Sequence, residues 1–371
     1  RAQAGESCRI CCCWALFLSA SPGSAACMFE DWSPHGGDSN DFPVKDGLPL
    51  PVVRRKSPWL QSARTVTFVF SIGTILTGLL CWYEFMEMDN LHVSGAGRKS
   101  VPFDASKLEK LNHLVMVAGH AVVMADSLDH VLQRDSDWFL ESYQRGQDLP
   151  TALVGHIQSG VSVAAQDSRA LLMFSGGQTR PSAGPRDEGW SYYRLAEHFN
   201  WWGLSESGAV GKAESVPVAQ RTVTEDFATD SLQNFMFSLC RFKEVVGKYP
   251  EKVTVVSFTF KQRRFQDLHR SALRFPASSF HYVGLQPPVH SHFDLKKAES
   301  GEIKNSLQLF EADPYGCNSQ VLLAKRKARN PFHRTTPYAL SCPELKGLLS
   351  WCGPGIYPGR LPWSIRPEAH G

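Results

Sequence analysis

Residues 169–189, RALLMFSGGQTRPSAGPRDEG, carry the clearest indication of the fold in this chain. They begin with an apolar run, which is the pattern of a strand buried on both faces of a parallel sheet. Two glycines end the run, and a polar loop leads to an acidic pair at the start of a helical segment. A buried strand, a glycine-containing turn and a helix N-terminus together predict one unit of a layered α/β sheet.

The same alternation of strands and helices extends in both directions from this stretch. Further strands are predicted at HLVMVAG (113–119), KVTVVSFTF (252–260) and FHYVGL (280–285). Helices are predicted over 149–167, 188–203, 230–250, 262–275 and 302–329. The first of these has apolar residues at helical spacing, namely Leu153, Ile157, Val161, Ala164 and Ala165. This order predicts a three-layer α/β domain with a mainly parallel sheet and right-handed crossovers.

The composition limits the classes of function. The chain has 371 residues, 43% of them hydrophobic, and a formal net charge of +3. That charge is small for a dedicated nucleic-acid binder, so we expect no nucleic-acid partner. Oligomeric state is not indicated by the sequence. We divide the chain into a disordered leader (1–63), a transmembrane signal anchor (64–84), a linker (85–109), the α/β domain (110–330) and an irregular Pro/Gly-rich tail (331–371).

The predicted anchor rests on TVTFVFSIGTILTGLLCWY (65–83), which contains no charged residue. Its length is close to the roughly 20 residues that cross a hydrocarbon core, although a buried core helix is the alternative. Basic residues precede it (Arg54, Arg55, Lys56, Arg64) and acidic residues follow it (Glu84, Glu87, Asp89). The positive-inside rule then predicts a cytosolic N-terminus and a main domain on the opposite side of the membrane.

The cysteines and histidines do not form a metal-binding pattern. No CxxC pair is matched by a second pair or by suitably spaced histidines, and the His-Ser-His at 290–292 is isolated. We therefore expect no metal site. Four of the ten cysteines lie in or after the α/β domain, and their pairing is left open: Cys240, Cys317, Cys342 and Cys352.

Polar groups follow three of the predicted strands. These are Gly119-His120, the loop from Ser175 to Arg180, and the segment from Ser257 to Arg264. Ligands of open α/β sheets bind at the carboxyl ends of the strands, and glycines with helix N-termini favour anions there. The three strand ends therefore predict a crevice for a phosphate or carboxylate. Of the two adjacent arginines at 263 and 264, we expect one to face the crevice; KRKAR (325–329) is predicted to be a solvated helix end.

Four motifs in order resemble domain-of-unknown-function family 218, the ElyC/SanA/YdcF-like family. They are LVMVAGH (114–120), LLMFSGGQTRPSAGPRDEGWSYY (171–193), VTEDFATDSLQNFMFS (223–238) and VTVVSFTFKQRRF (253–265). The resemblance covers about residues 110–330. It implies a Rossmann-like domain, often behind one N-terminal membrane segment. It implies a fold rather than a particular reaction, and bacterial members are linked to envelope functions.

The resemblance also points to individual positions. The ligand-binding positions that it implies are Gly119, Ser175, Gly176, Gly177, Thr179, Ser191, Thr224, Asn234, Ser257 and Arg264. Glu188 and Glu225 are the candidate general acid and base, and helix capping is the alternative for both. Where the family usually has Ser-Glu-Ala, this chain has Asp187-Glu188-Gly189. The added carboxylate weakens an anion site unless it faces away from the site or caps the helix.

These observations lead to two hypotheses. The first is a membrane-anchored α/β enzyme that binds and processes a small anionic ligand containing a phosphate or nucleotide, including lipid-linked ones. The second is a non-catalytic ligand-binding or scaffolding domain in a membrane or envelope process. There is no GxGxxG after the first strand, no Walker pattern and no GxSxG elbow. S-adenosylmethionine or another nucleotide-like cofactor stays open on fold analogy alone.

Overall fold

The computed structural model describes residues 105–204, 216–288 and 291–364. The predicted leader (1–63), the predicted anchor (64–84) and most of the predicted linker lie outside these ranges. Among the helices that are described, none has the length and apolar character needed to cross a membrane.

Five parallel strands form the central sheet, and two short antiparallel strands pair beside it. The strands are β1 (His113–Ala118), β2 (Val122–Val123), β3 (Trp138–Phe139), β4 (Ala170–Ser175), β5 (Thr222–Glu225), β6 (Lys252–Phe258) and β7 (Phe280–Leu285). The order across the large sheet is β5-β4-β1-β6-β7. The chain therefore builds outward from β1 to one side and then returns to the other side of β1, which is the strand order of a Rossmann-like fold.

Helices follow the strands and cover both faces of the sheet. The α-helices are α1 (Leu149–Gln166), α2 (Glu188–His198), α3 (Ser231–Val246), α4 (Arg270–Ala272), α5 (Leu295–Glu302), α6 (Gln308–Ala312), α7 (Gln320–Ala328), α8 (Tyr338–Ser341) and α9 (Lys346–Leu349). A π-helical segment, Arg264–His269, leads into α4, and another, Ile303–Leu307, joins α5 to α6.

The core consists of two clusters, one on each face of the sheet. Alternate residues of β1 point to opposite faces, as in any strand. Leu114 and Met116 pack in the cluster that contains α3, while Val115 and Val117 pack in the cluster that contains α1 and α2. All the residues of β1 and β4 are buried. The predicted α/β class, with helices on both sides of a parallel sheet, is confirmed.

The predicted helical segments contain helices, but the helix ends differ from those predicted. The five apolar positions predicted to face the core from α1 are all buried. The second helix was expected to reach residue 203, but α2 ends at His198 and a 3-10 turn, Asn200–Gly203, follows. Trp201 and Trp202 adopt left-handed backbone angles with φ of 51°, which an α-helix does not allow.

Strand β5 was not predicted. It has only four residues, it lies at the edge of the sheet, and three of the four residues in its sequence Thr-Val-Thr-Glu are polar. The structure pairs it in parallel with β4, with Ser175 opposite Glu225. A short edge strand has no continuous apolar run, so the pattern used for the other strands does not detect it.

The described part of the predicted tail, residues 331–364, belongs to the core. It contains little regular structure beyond α8 and α9, as expected from its composition. However, Tyr338, Cys342, Leu345 and Leu348 are buried in the same cluster as α3. A disulfide joins Cys317 to Cys352 and holds the later part of the tail to the segment before α7, whereas Cys240 and Cys342 are free and buried.

Candidate functional site

A cavity of about 1010 Å³ opens at the carboxyl ends of β1 and β6. These two strands are neighbours at the point where the strand order reverses, which is where open α/β sheets bind ligands. The lining comes from residues 118–120, 139–149, 179–181, 228–234, 258–265 and 293–329. The three predicted strand ends therefore contribute, together with segments that the sequence did not associate with the site.

Glu188, the first residue of α2, is buried and lines this cavity. Its Oε1 accepts a hydrogen bond of 2.9 Å from Thr179 Oγ1. Thr179 is also buried and lines the cavity. The loop that follows β4 thus supplies the hydroxyl that orients the carboxylate at the start of the next helix.

Gly119 and Gly176 leave the space that the Glu188 side chain occupies. A Cβ atom on Gly119 would lie 2.7 Å from both Cβ and Oε2 of Glu188, and a Cβ on Gly176 would lie 2.5 Å from Oε2. Both distances are too short for real contacts, so any side chain at these positions displaces the carboxylate. Gly119 lines the cavity and Gly176 does not. Contact of these glycines with a ligand stays a prediction.

Glu225, the second predicted acid or base, does not line the cavity. Its carboxylate is fully buried and accepts hydrogen bonds from Ser175 Oγ (2.8 Å), the Phe227 backbone N–H (2.8 Å) and Tyr338 Oη (3.0 Å). Burial raises the pKa of Glu225 to about 7, despite the stabilising hydrogen bonds. This carboxylate ties the ends of β4 and β5 to the C-terminal segment.

Asp187 caps α2 and does not line the cavity. Its side chain accepts a 2.6 Å hydrogen bond from the Trp190 backbone N–H. Burial raises the pKa of Asp187 to about 6, and the nearby Asp226 adds to this effect. The extra carboxylate therefore performs the capping role that the sequence left open, and it does not add a charge to the cavity wall.

Several other predicted positions hold the backbone together near the cavity. Ser191 Oγ accepts from the Val123 N–H (3.0 Å) and donates to the Asp187 carbonyl (2.8 Å). A Cβ on Gly177 would lie 2.7 Å from the carbonyl oxygen of Ala228, so this glycine allows two loops to approach closely. These contacts explain the residue types without a ligand.

A histidine that follows β1 packs against a row of aromatic rings at the end of β6. Ser257 Oγ lies 3.0 Å from Nε2 of His120, and the imidazole stacks on Phe258 with ring centroids 5.3 Å apart. Phe258 in turn stacks on Phe260 (5.0 Å) and on Phe293 (5.7 Å). His120 and the three phenyl rings line the cavity, so one wall is aromatic.

Lys261 projects over this aromatic wall. Its Nζ lies 5.3 Å from the ring centroid of Phe258 and 5.7 Å from that of Phe260. It is also 3.4 Å from Nδ1 of His120. No ion pair links Lys261 to any carboxylate among the residues that the structure describes.

The pKa of Lys261 falls to about 7. Burial is the largest cause, and the positive charges of Arg264 and Arg329 add to it, while Glu302 and Glu188 oppose it. The pKa of His120 also falls well below 6.5, because of burial and then the charge of Lys261.

Arg264 faces the cavity, and its neighbour Arg263 does not. Arg264 is buried, with Nε 2.9 Å from Oε1 of Glu302 on α5. Arg263 is exposed and pairs with Glu311. The expectation that one of the two arginines faces the crevice is confirmed.

Two further cations reach the cavity from α7 and its C-terminal end. Lys325 and Arg329 both line it, so the prediction that KRKAR (325–329) is a solvated helix end is wrong for these two residues. Lys325 donates to the Asn305 carbonyl and Arg329 donates to the Thr229 carbonyl (3.1 Å). The pKa of Lys325 is lowered by burial and then by the charges of Arg329 and Arg264.

We refer to Lys261, Arg264, Lys325 and Arg329 as the cationic cluster. All four line the same cavity, where Arg264 pairs with Glu302. Three other acidic residues of the lining are engaged elsewhere: Glu141 pairs with Arg180, Asp230 pairs with Arg326 and caps α3, and Asp294 caps α5. Glu188 also lines the cavity and is the second negative charge that acts on Lys261. The cluster thus has more positive than negative charge.

The predicted positions divide into two groups. Those that line the cavity are Gly119, Thr179, Glu188, Asn234 and Arg264. Those behind the lining are Ser175, Gly176, Gly177, Ser191, Thr224, Glu225 and Ser257. Asn234 is buried in the first turns of α3, and its side-chain amide makes no hydrogen bond to the described residues. It therefore has donors and an acceptor available to a ligand.

Sequence reasoning did not include His120, Lys261, Glu302, Lys325 and Arg329 among the site residues. The first two lay within the predicted strand ends and were detectable from that position. The others come from helices that follow the sheet, and no local pattern indicates that these helices turn toward the cavity.

Metal-binding clusters are not found in the described ranges: no group of three or more His, Cys, Asp or Glu side chains is arranged for a metal ion there. His292 instead pairs with Asp148, with 2.9 Å between Nδ1 and Oδ2. His290 lies outside the described residues.

The chain is similar to an uncharacterized protein of Saccharomyces cerevisiae, YOR238W. The two are 29% identical over 261 residues, which cover 61% of this chain and 86% of the yeast protein. No family model matches the chain. No solved structure matches it either.

Proposed function

We propose that this protein binds a small anionic ligand, with a phosphate or carboxylate group, in the cavity at the carboxyl edge of the sheet. The observation that carries the proposal is the cationic cluster. Four basic side chains line the cavity together with Glu302, which pairs with Arg264, and in two of the four the charges of neighbouring cations add to burial in lowering the pKa. An anion placed among them relieves this repulsion and gains charge-assisted hydrogen bonds.

The aromatic wall favours a ligand with an apolar or planar part beside its anionic group. His120, Phe258 and Phe260 present nearly parallel rings next to Lys261. Nucleotides, S-adenosylmethionine and lipid-linked phosphates all combine these two features. Asn234 adds an amide for a neutral polar group of the ligand.

If the ligand is processed, Glu188 is the residue that we propose as general acid or base. It lines the cavity, while Glu225 lies behind the wall and is held by three donors. The second candidate function is a non-catalytic binding or scaffolding domain, and Glu188 then only fills the space beside Gly119 and Gly176. Both candidate functions use the same cavity, but only the enzyme converts its ligand into a product.

We also propose the membrane anchor at 64–84, which lies outside the described residues, and a main domain on the side opposite the cytosol. The charge difference across the apolar segment supports this orientation. The Cys317–Cys352 disulfide suits an oxidising compartment. Membership of the ElyC/SanA/YdcF-like family remains part of the proposal and is supported by the strand order.

Thermal melting of the full chain with matched ligands tests the binding proposal. Adenosine monophosphate and inorganic phosphate should raise the melting temperature, because a ligand at about 100 times its Kd stabilises by about 2.7 kcal/mol. Adenosine, which lacks the phosphate, is the control and should shift it less. Equal shifts with adenosine and its monophosphate, or no shift with any anion, would contradict the proposal.

A measurement of turnover distinguishes the enzyme from the non-catalytic binding domain. Each stabilising ligand is incubated with the wild-type chain and with Glu188→Gln, and products are followed by mass spectrometry. The enzyme hypothesis predicts product with the wild type and a loss of roughly 10²-fold or more in the variant, since that is the contribution of a general acid or base. Binding without any product supports the non-catalytic domain.

A further inference from the structure

We propose that Lys261 is a nucleophile that forms an imine with a small carbonyl compound bearing a phosphate or carboxylate. The inference rests on the proposed function, because the anionic group is held by the same cationic cluster. It adds a covalent activity and a more specific ligand class to that site.

The first argument is the position of the amine. Lys261 Nζ lines the cavity and lies over the faces of Phe258 and Phe260. No carboxylate within the described part of the chain pairs with it. A lysine that serves only to neutralise a structural acid has such a partner, and Lys261 instead lines the cavity beside His120.

The second argument is the charge around the amine. Arg264 and Arg329 line the same cavity as Lys261, and their positive charges add to the burial that lowers the pKa of Lys261. A lysine in an apolar setting beside another cation is the arrangement that activates amine nucleophiles. The phenyl faces attract the protonated amine, so both protonation states are accessible near neutral pH.

The third argument is that one residue near Lys261 suits ligand binding and others suit proton transfer. Arg264 is directed to the cavity and buried, so it suits the anionic group of a ligand. His120 lies 3.4 Å from the amine and Glu188 shares the cavity, so proton-transferring groups are close to the reacting atoms.

The step balances without an oxidant or a second reactant. The neutral amine donates its electron pair to the carbonyl carbon, and the carbonyl π electrons move to oxygen, which takes up a proton as the nitrogen releases one. The resulting carbinolamine then loses the hydroxyl and the remaining amine hydrogen as one water molecule. The product is a carbon–nitrogen double bond to Nζ, and water reverses it.

Borohydride trapping tests the inference with pyridoxal 5′-phosphate, an aldehyde that carries a phosphate and an aromatic ring. The full chain is treated at pH 7 with limiting reagent, reduced, digested and mapped by mass spectrometry. The neutral fraction of an amine whose pKa is about 7 exceeds that of an ordinary lysine by about 10³-fold at this pH. We expect Lys261 to be labelled at least roughly tenfold faster than the exposed Lys346.

Two variants control the test. Lys261→Arg keeps the charge and should remove the fast adduct at residue 261, which the mapping distinguishes from any slower adduct on Lys297 or Lys325 of the same lining. Lys346→Arg should leave labelling of Lys261 unchanged; melting curves establish that both variants fold. Pyridoxal without phosphate should label Lys261 more slowly, and inorganic phosphate should compete with the phosphorylated reagent.

Labelling of Lys261 no faster than that of Lys346 overturns the inference. If phosphate still raises the melting temperature in that case, the proposed function survives and only the covalent step is lost. If phosphate has no effect and Lys261 is not labelled selectively, both proposals fail.

Discussion

Replacement of Glu225 by glutamine should remove a pH-dependent loss of stability. The carboxylate is fully buried, and burial raises its pKa from 4.5 to about 7. The folded state therefore holds this proton more tightly than the unfolded state does. Stability from the protonated acid is complete below about pH 4.5 and is lost as the pH rises through about 7.

The size of the effect follows from the change in pKa. A rise from 4.5 to about 7 corresponds to about 3 kcal/mol of unfolding free energy between acid and alkaline pH. Glutamine cannot ionise, and it retains a carbonyl oxygen that accepts from the Ser175 hydroxyl or the Tyr338 hydroxyl. We expect Glu225→Gln to gain stability relative to the wild type as the pH rises from 5 to 8.5.

Urea denaturation at several pH values measures this difference. The buried histidines His113 and His156 have lowered pKa values and add a pH dependence of the opposite sign at acid pH. Their contributions cancel when the variant is compared with the wild type. Glu109→Gln, at an exposed position, is the matched control and should parallel the wild type. Parallel curves for Glu225→Gln and the wild type would refute a raised pKa at Glu225.

Two other substitutions probe the packing around the site and the C-terminal segment. Gly176→Ala should destabilise by about 1–3 kcal/mol in urea denaturation, because its Cβ would lie 2.5 Å from Oε2 of Glu188. Gly155→Ala, where the nearest atom is 3.8 Å away in mid-helix, should be neutral or stabilising; equal losses in both variants would contradict this packing. Removal of the Cys317–Cys352 disulfide, which spans 35 residues, should cost up to about 4 kcal/mol. A reductant should then lower the melting temperature of the wild type and not of the double alanine variant; an unaffected wild type would argue against the bond.

The three central strands that the sequence predicted share one property, and β5, which the sequence did not predict, lacks it. β1, β4 and β6 are rich in apolar residues and buried along nearly their whole length because helices cover both faces of the central strands. The predicted β7 lies at one edge and is only partly buried, but it still contains several apolar residues. β5 lies at the other edge and has three polar residues out of four, so only its pairing with β4 identifies it. The pattern of apolar residues along a strand reflects which of them are buried. At the edge of a sheet, burial depends on tertiary contacts that the local sequence does not show.

The sequence predicted the edge of the sheet at which the cavity lies, but it did not predict all of the residues that line the cavity. Strand ends with glycine and hydroxyl residues indicated this edge of the sheet. Ligand contact of the glycines stays a prediction, and the structure shows in addition that Gly119 and Gly176 leave space for the Glu188 carboxylate. The sequence shows that a glycine has no Cβ, but it does not show which neighbouring atom occupies that space.

The sequence also did not predict which charged residues of the later helices line the cavity. Lys325 and Arg329 lie in a basic run that is typical of a solvated helix end, and both line the cavity. Glu225 followed a loop as a catalytic acid often does, yet it is enclosed by Ser175 and Tyr338. In each case the packing of a later segment decides the role of the side chain.

Calorimetric titration of inorganic phosphate into the full chain, with Arg329→Gln and the exposed Arg360→Gln as a matched pair, tests the central claim most directly. A charge-assisted hydrogen bond contributes about 1.5–3 kcal/mol, so Arg329→Gln should weaken binding by about 10- to 100-fold. Arg360→Gln should bind as the wild type does. Equal affinity in the wild type and in Arg329→Gln, or no binding of phosphate to the wild type, would contradict an anion site at the cationic cluster.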